Sequence, residues 1–279
     1  MTAGAEQHPA AAEARALGAS PKSTALDFVR YGQYGGAVRV RVVDAGKALP
    51  VLRPRHDAFA IGGLAMGMPV SGQARREDMV TAAGFKSAVG ITSMTLDRGD
   101  GTSYAVEEIH CQGPDGVLVL GIDRGAMRPV GPVDPASGIG GPAYSSIVVG
   151  DLARSEAFMR DVLRYELRRG FTSAGSKGGL RLPDGTRVVL QQWYAPGALT
   201  GYVILLKLLD TPQPTPPGAV RGLAMWSFDV ADAAAIEACG RAVAARVIAP
   251  AQLTGDHRQT IIAMPDGFPI AFDERGAKP

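Results

Sequence analysis

The sequence predicts an α+β fold made of tandem β-α-β-β-β modules, which form two half-open, barrel-like halves. Two recurring features carry this prediction. A Pro-Asp-Gly turn occurs at 114–116, 183–185 and 265–267, each time between two strand-like stretches. A short apolar stretch, an Asp and an amphipathic helical pattern precede two of these turns, at 144–163 and 225–244. Self-similarity at a spacing of about 50 to 80 residues indicates one supersecondary unit that is repeated along the chain.

Local chemistry explains both parts of the repeat. Asp-Gly at the centre of a hairpin supplies the positive φ angles of a type I′ turn, and the preceding Pro stiffens the entry. Asp151 and Asp232 stand directly before the two helical patterns, where a side-chain oxygen caps free backbone N–H groups. Each predicted module therefore runs strand, Asp-capped helix and three strands, with the Pro-Asp-Gly turn between the last two strands.

The repeats and the Gly- and Pro-rich segments between them predict the domain organisation. Three modules are visible, at 71–124, 142–195 and 220–274. Residues 1–21 are predicted to be a disordered tail, frayed or weakly helical. An N-terminal half follows at 22–124, and its first module (22–70) is divergent. A linker at 125–141 leads to a C-terminal half at 142–279, which has an internal linker at 210–219.

Composition excludes several classes of protein. The 279 residues carry a net charge of +2 with scattered basic residues, so a nucleic-acid partner is not expected. No apolar run reaches the roughly 18 residues that cross a bilayer, and the N-terminus lacks the pattern of a secretion signal. The two cysteines are too few for a disulfide framework. We therefore expect a cytoplasmic protein with no membrane partner.

The stretch "SSIVVGDLARSEAFMRDVLRYELRR" (145–169) and the three Pro-Asp-Gly hairpins resemble the vicinal oxygen chelate superfamily. That group includes glyoxalase, bleomycin-resistance and extradiol-dioxygenase-like proteins. The resemblance implies paired modules whose strands curl around a ligand. It also implies where metal-using members hold their ion: a His, Gln or Glu seven residues before the capping Asp, and a Glu four residues after the Gly of the last hairpin.

This sequence departs from the superfamily at each of those positions. Tyr144 and Met225 lie seven residues before the capping aspartates, and Leu120, Val189 and Ala271 lie four residues after the hairpin glycines. None of the five is a usual ligand of a divalent metal. We therefore expect no metal and no other cofactor. Ligands displaced into residues 22–70 are the alternative.

Two pairs are candidates for catalysis. In the polar strand "VEEIHC", Glu108 and His110 face the same side, and a carboxylate beside an imidazole is a general acid/base pair. The alternatives are the exposed face of an edge strand, or a metal site completed by His56. Tyr144 and Asp229 are the second pair, placed to hold or deprotonate a substrate; the alternative is that both are structural.

Strand alternation also predicts a substrate-binding lining in the C-terminal half, where a few polar groups interrupt an apolar surface. Its candidate residues are Ser146, Met225, Ser227, Arg187, Gln191, Trp193 and Ala271. Core packing is the alternative for the aromatic members. The glycine-rich stretch "GGLAMGMPVSG" (62–72) is interpreted as a flexible connection between modules.

Three functions remain open from the sequence. The first is a metal-independent isomerase, epimerase or lyase that transfers a proton on a small carbonyl-bearing or aromatic compound. The second is a protein that binds and sequesters such a compound. The third is a metal-dependent lyase or dioxygenase with displaced ligands. Members of the superfamily often pair modules across a homodimer, whereas four modules in one chain would close both cups internally.

Overall fold

The computed structural model describes residues 2–29, 33, 39–55, 58–97, 101–125, 127, 129–174, 182–183, 185–254 and 257–275. Strands dominate this part of the chain, and short helices connect them. The helices are α1 (Ala11–Ala16), α2 (Gln73–Ala82), α3 (Leu152–Asp161) and α4 (Ala233–Ala242). The strands are β1 (Thr2–Ala3), β2 (Ala25–Val29), β3 (Val40–Val43), β4 (Gly62–Pro69), β5 (Lys86–Asp97), β6 (Ser103–Gln112), β7 (Leu118–Asp123), β8 (Tyr144–Val148), β9 (Glu166–Ala174), β10 (Arg187–Tyr194), β11 (Tyr202–Leu208), β12 (Trp226–Val230), β13 (Val247–Thr254), β14 (His257–Ala263) and β15 (Pro269–Arg275).

Two modules share one eight-stranded sheet in the order β5-β6-β7-β4-β8-β11-β10-β9. One module is β4-α2-β5-β6-β7 and the other is β8-α3-β9-β10-β11; their first strands, β4 and β8, pair antiparallel. The α+β prediction is confirmed. The predicted division into halves at 125–141 is not what the sheet shows, because hydrogen bonds between β4 and β8 join the modules on either side of that segment.

The glycine-rich stretch interpreted as a flexible connection is instead the central strand β4. Its glycines allow close approach of neighbouring groups. Gly67 lies directly opposite Tyr144, and a Cβ on Gly67 would stand 1.8 Å from Cε1 of the Tyr144 ring. The ring therefore covers the glycine, a packing that strands use to compensate for a missing side chain.

The last module, β12-α4-β13-β14-β15, forms a separate four-stranded sheet in the order β12-β15-β14-β13. Its α4 side packs against the α3 side of the eight-stranded sheet in one apolar cluster, in which Phe158 and Met159 of α3 meet Ile262 and Ile270 of the smaller sheet. The helices of these two modules therefore lie between the two sheets.

The opposite face of the smaller sheet is covered by α1, which corrects the prediction of a disordered tail at 1–21. Ala12 and Ala14 are buried, and Ala12 packs with Ala249, Ile261 and Ala271. Small alanine side chains let the helix backbone approach the sheet closely. The apolar surface of the sheet beneath it supplies the order that helix propensity alone does not give to so short a segment.

The divergent module at 22–70 is also corrected. Among its described residues are β2, β3 and β4; β1, β2 and β3 form a small antiparallel sheet, and β4 belongs to the next module. Arg53, in the basic run "RPRH" (53–56), is 1% exposed. Its guanidinium donates to the carbonyl oxygens of Ala60 and Gly63, at 2.6 and 2.9 Å.

Both predicted helix caps and one of the predicted turns are present in the structure. The Asp151 and Asp232 side chains accept from the backbone N–H groups of Arg154 and Ala235, so both predicted caps are confirmed. Asp115 has a φ of 53° and Gly116 of 73°, as a type I′ turn requires.

The other two Pro-Asp-Gly turns differ. At 265–267 only the glycine has a positive φ, and Asp266 instead accepts the backbone N–H of Gly150 at 2.8 Å, from the neighbouring module. Asp184 lies outside the described residues. The turn at 183–185 precedes β10, which is the third strand of its module and not the last.

Candidate functional site

A cavity with a volume of about 590 Å³ lies on the inner face of the eight-stranded sheet. Both modules contribute to it: Val106 and Ile122 come from one, and Leu190 and Ile204 from the other. Residues 129–133, within the segment predicted to be an inter-domain linker, line one side of it. The Gly- and Pro-rich segment therefore forms part of a cavity wall.

Three stacked tyrosines form the aromatic wall of this cavity. The ring centroids of Tyr144 and Tyr202 are 4.8 Å apart, and those of Tyr202 and Tyr194 are 4.5 Å apart, with the ring planes within 18° of parallel. Tyr144 and Tyr202 are almost completely buried. Stacked rings are a favourable arrangement of aromatic side chains. Tyr202 has a tyrosine ring on each face, and the Arg168 guanidinium lies over the Tyr194 ring at 4.6 Å from its centroid, so the stack presents ring edges to the cavity.

The phenols of this stack are neutral groups at ordinary pH. Burial raises the pKa of Tyr144 well above its usual value, and the neighbouring Glu108 carboxylate adds to the shift. Burial likewise raises the pKa of Tyr202 and of Tyr194. Because desolvation penalises a phenolate, Tyr144 is suited to donate a hydrogen bond and is poorly suited to act as the base that the sequence suggested.

Along β10, the structure reverses the predicted orientation of the side chains. Leu190, Gln192 and Tyr194 line the cavity. Gln191 and Trp193 lie on the α3 side: the Gln191 amide donates to Glu156 of α3 and accepts from the Trp193 indole. The prediction assumed that the strand after the turn at 183–185 is the last strand of its module, and it assigned the faces of that strand from the turn. β10 is the third strand, and an error of one residue in its register moves every side chain to the other face.

The last strand of that module is β11, and Tyr202 takes the position that the prediction gave to Val189. Across β4–β7, Gly67 pairs with Leu120; across β8–β11, Tyr144 pairs with Tyr202; and Gly67 pairs with Tyr144 across the module junction. These are the four facing positions at the centre of the sheet. None carries a carboxylate or an imidazole.

A divalent metal of the kind used by the superfamily does not fit the described residues. Glu108 is the one carboxylate among the described residues that line the cavity, and its Oε2 is 2.9 Å from Nε2 of His110. Within the described ranges no three or more His, Cys, Asp and Glu side chains are grouped to hold an ion. His56, the third member of the alternative metal site, lies outside the described residues.

Glu108 and His110 come together as the alternation predicted. They lie on β6, which is an interior strand between β5 and β7 and not an edge strand. His110 is 1% exposed, whereas the Glu108 side chain is 16% exposed and lines the cavity. The His110 imidazole thus contacts the Glu108 carboxylate from the buried side, and the carboxylate lines the cavity.

Two arginines lie at another part of the cavity wall. Arg124 follows β7 and Arg169 lies on β9, so they belong to different modules. Arg124 Nη2 and Arg169 Nη1 both donate to the Tyr104 hydroxyl, at 3.0 and 3.1 Å. All three residues line the cavity, and none was singled out from the sequence.

The other sequence-predicted residues lie outside this cavity. Arg187 is paired with Asp210 at the exposed end of β10. Ser227, Asp229 and Ala271 belong to the four-stranded sheet, and Met225 directly precedes its strand β12. Met225 and Ala271 pack near α1, and Asp229 is exposed.

The serines among these residues form hydrogen bonds with neighbouring groups. Ser227 donates to Asp273 at 2.6 Å. Ser146 lies beside Tyr144 on the inner side of β8 but is buried against the carbonyl oxygen of Ala65. The structure therefore brings Tyr144, Glu108 and His110 together and separates them from Asp229.

No protein-family model and no curated protein sequence matches the chain. Among solved structures, glyoxalase I from Zea mays aligns over 91% of this chain and 79% of its own, with 16% identity and a TM-score of 0.61. A glyoxalase family protein from Bacillus cereus aligns over 47% of this chain and 91% of its own, with 20% identity and a TM-score of 0.40.

The module order in the eight-stranded sheet and the likeness to glyoxalase I show that the chain has a glyoxalase-like fold. The resemblance stated from the sequence is confirmed at the level of fold. In the described part of the chain, no helix is long and apolar enough to cross a membrane.

Proposed function

We propose that this protein binds a flat aromatic small molecule in the cavity of the eight-stranded sheet. The observation that carries the proposal is the stack of Tyr144, Tyr202 and Tyr194 along one wall of a cavity of about 590 Å³. That volume is within the usual range of small-molecule sites, and an aromatic wall with a few convergent polar groups is their usual lining. A planar ring system gains both apolar burial and edge-to-face contacts against such a wall.

A pair of probes that differ in planarity tests the proposal. We expect 2-naphthol to quench the intrinsic fluorescence saturably. Its saturated analogue decahydro-2-naphthol should bind at least about tenfold more weakly, because it has no aromatic face to receive the ring edges. Tyr194→Leu removes one ring of the wall and should weaken 2-naphthol binding. Tyr165→Leu is the matched control, because Tyr165 packs in the apolar cluster between the sheets. Equal affinity for the two probes, or equal effects of the two variants, contradicts the proposal.

A second candidate is a proton-transfer enzyme, in which Glu108 is the base and His110 a positioning residue. The specific observation behind it is the 2.9 Å contact between the cavity-lining Glu108 carboxylate and the buried His110 imidazole. A carboxylate held in this way is oriented for abstraction of a proton beside a carbonyl group. Isomerisation, epimerisation and elimination all begin with that step, and the abstracted proton would reside on Glu108 until it is returned or lost to solvent.

Exchange of a carbon-bound proton tests this second candidate without knowledge of the substrate. 2-Tetralone is a fused aromatic ketone whose activated C1 protons exchange with D₂O, and NMR measures the rate. Wild type should accelerate the exchange, and Glu108→Gln should abolish the acceleration while 2-tetralone still binds. His110→Ala should lower the rate and change its pH profile. A Glu108→Gln variant that retains the wild-type rate rules out Glu108 as the base.

A further inference from the structure

The cavity has a positive region formed by two guanidinium groups. Because Arg124 and Arg169 both donate to the hydroxyl of Tyr104, their nearest nitrogens lie at most about 6 Å apart, a distance at which like charges in a partly desolvated site repel. Within the described residues, Arg124 makes this hydrogen bond and stacks over the Tyr104 ring, and it forms no ion pair.

Glu108 gives the same cavity a negative region. Tyr104, Val106 and Glu108 alternate along β6 and all face the cavity. Glu108 lies four positions after Tyr104 on this strand, which corresponds to about 13 Å between their Cα atoms. Tyr202 lies within electrostatic range of both ends, since Arg124 and Glu108 shift its pKa in opposite directions. The aromatic wall therefore spans the interval between a positive and a negative region.

We propose that the ligand is an aromatic acid whose carboxylate binds Arg124 and Arg169 and whose far end donates a hydrogen bond to Glu108. This inference rests on the proposed binding function and adds the polarity of the ligand. A carboxylate matches the planar donor fork of a guanidinium, and charge-assisted hydrogen bonds of this kind are the stronger ones in proteins. A hydroxyl or amino group at the opposite end is the complementary partner for a carboxylate acceptor.

Three naphthalene probes separate the two ends of the site. 2-Naphthol lacks the acid, 2-naphthoate has the acid alone, and 6-hydroxy-2-naphthoate has both groups. We expect 2-naphthoate to bind at least about tenfold more tightly than 2-naphthol, and the added hydroxyl to tighten binding several-fold further. Arg124→Met should lower the ratio of naphthoate to naphthol affinities several-fold, because only Arg169 then remains to bind the carboxylate. Glu108→Gln should remove the gain from the added hydroxyl.

Matched controls distinguish this inference from the proposed function. Arg160→Met removes the same charge from a surface pair with Asp161 and should leave the naphthoate-to-naphthol ratio unchanged. Urea unfolding of each variant shows that it is folded before binding is measured. If no probe binds wild type, both proposals fail. If the probes bind but naphthol equals naphthoate, or if Arg124→Met and Arg160→Met change the ratio equally, the acid-binding inference fails while the aromatic site remains.

Discussion

Replacing Gly67 with alanine introduces a methyl group into the space that the Tyr144 ring occupies. The added Cβ would stand 1.8 Å from Cε1 and 1.9 Å from Cζ of that ring. Contacts this short require the ring to move. Tyr202 stacks on its other side at 4.8 Å, so the ring cannot move without disturbing the aromatic wall.

The expected cost follows from the packing. Overpacking in a well-packed core costs about 1–3 kcal/mol, and loss of an aromatic pair adds about 0.5–1.5 kcal/mol. We expect Gly67→Ala to lower the free energy of unfolding by about 3 kcal/mol. Tyr144→Ala alone should cost about 3–5 kcal/mol, as truncations of large core residues do. In the double variant the methyl group has room, so the total should fall short of the sum by about 2–3 kcal/mol.

Urea unfolding, followed by the fluorescence of the two tryptophans, measures each term of this cycle. Tyr144→Phe is a matched control, because the contacting atoms are ring carbons, and Gly67→Ala should cost as much in that background as in wild type. Gly218→Ala is a second control at an exposed glycine with no atom near its would-be Cβ. If the Gly67 and Tyr144→Ala effects add to within about 0.5 kcal/mol, the contact argument is refuted.

Three further predictions concern other parts of the chain. Asp151→Ala removes the acceptor 3.0 Å from the Arg154 amide and should cost about 1 kcal/mol by urea unfolding; no loss would contradict the cap. Burial raises the pKa of the Cys111 thiol to about 11, which makes it unreactive at neutral pH. A thiol reagent should therefore modify Cys239 alone until the protein is unfolded. Reaction of both thiols at the same rate in the native protein would contradict this. Burial raises the pKa of Glu13 above its usual value, so the native state binds more protons there than the unfolded state and loses stability as pH rises through the window between the two pKa values. Glu13→Gln has no proton to lose there and should gain stability relative to wild type across that window; a constant difference would contradict this.

Features that depend on neighbouring residues in the chain could be predicted from the sequence. The Asp151 cap and the type I′ turn at Asp115 need only a few adjacent residues, and both are present. The proximity of Glu108 and His110 also follows from strand alternation. The orientation of β10 could not be derived in the same way, since it depends on which strand of the module follows the turn at 183–185, and that is settled by pairing with β11 and β9.

The sequence alone determined the repeated module, its two Asp caps and the turn at Asp115, and the absence of usual metal ligands at the expected positions. These are local or positional properties of the chain. Tertiary structure alone decided which modules share a sheet, that α1 covers the second sheet, and that Arg124 and Arg169 meet at Tyr104. Arg169 lies 65 residues from that tyrosine in the chain. Such a contact arises from strand pairing and packing between modules, which no local pattern records, and the candidate site is built from contacts of that kind.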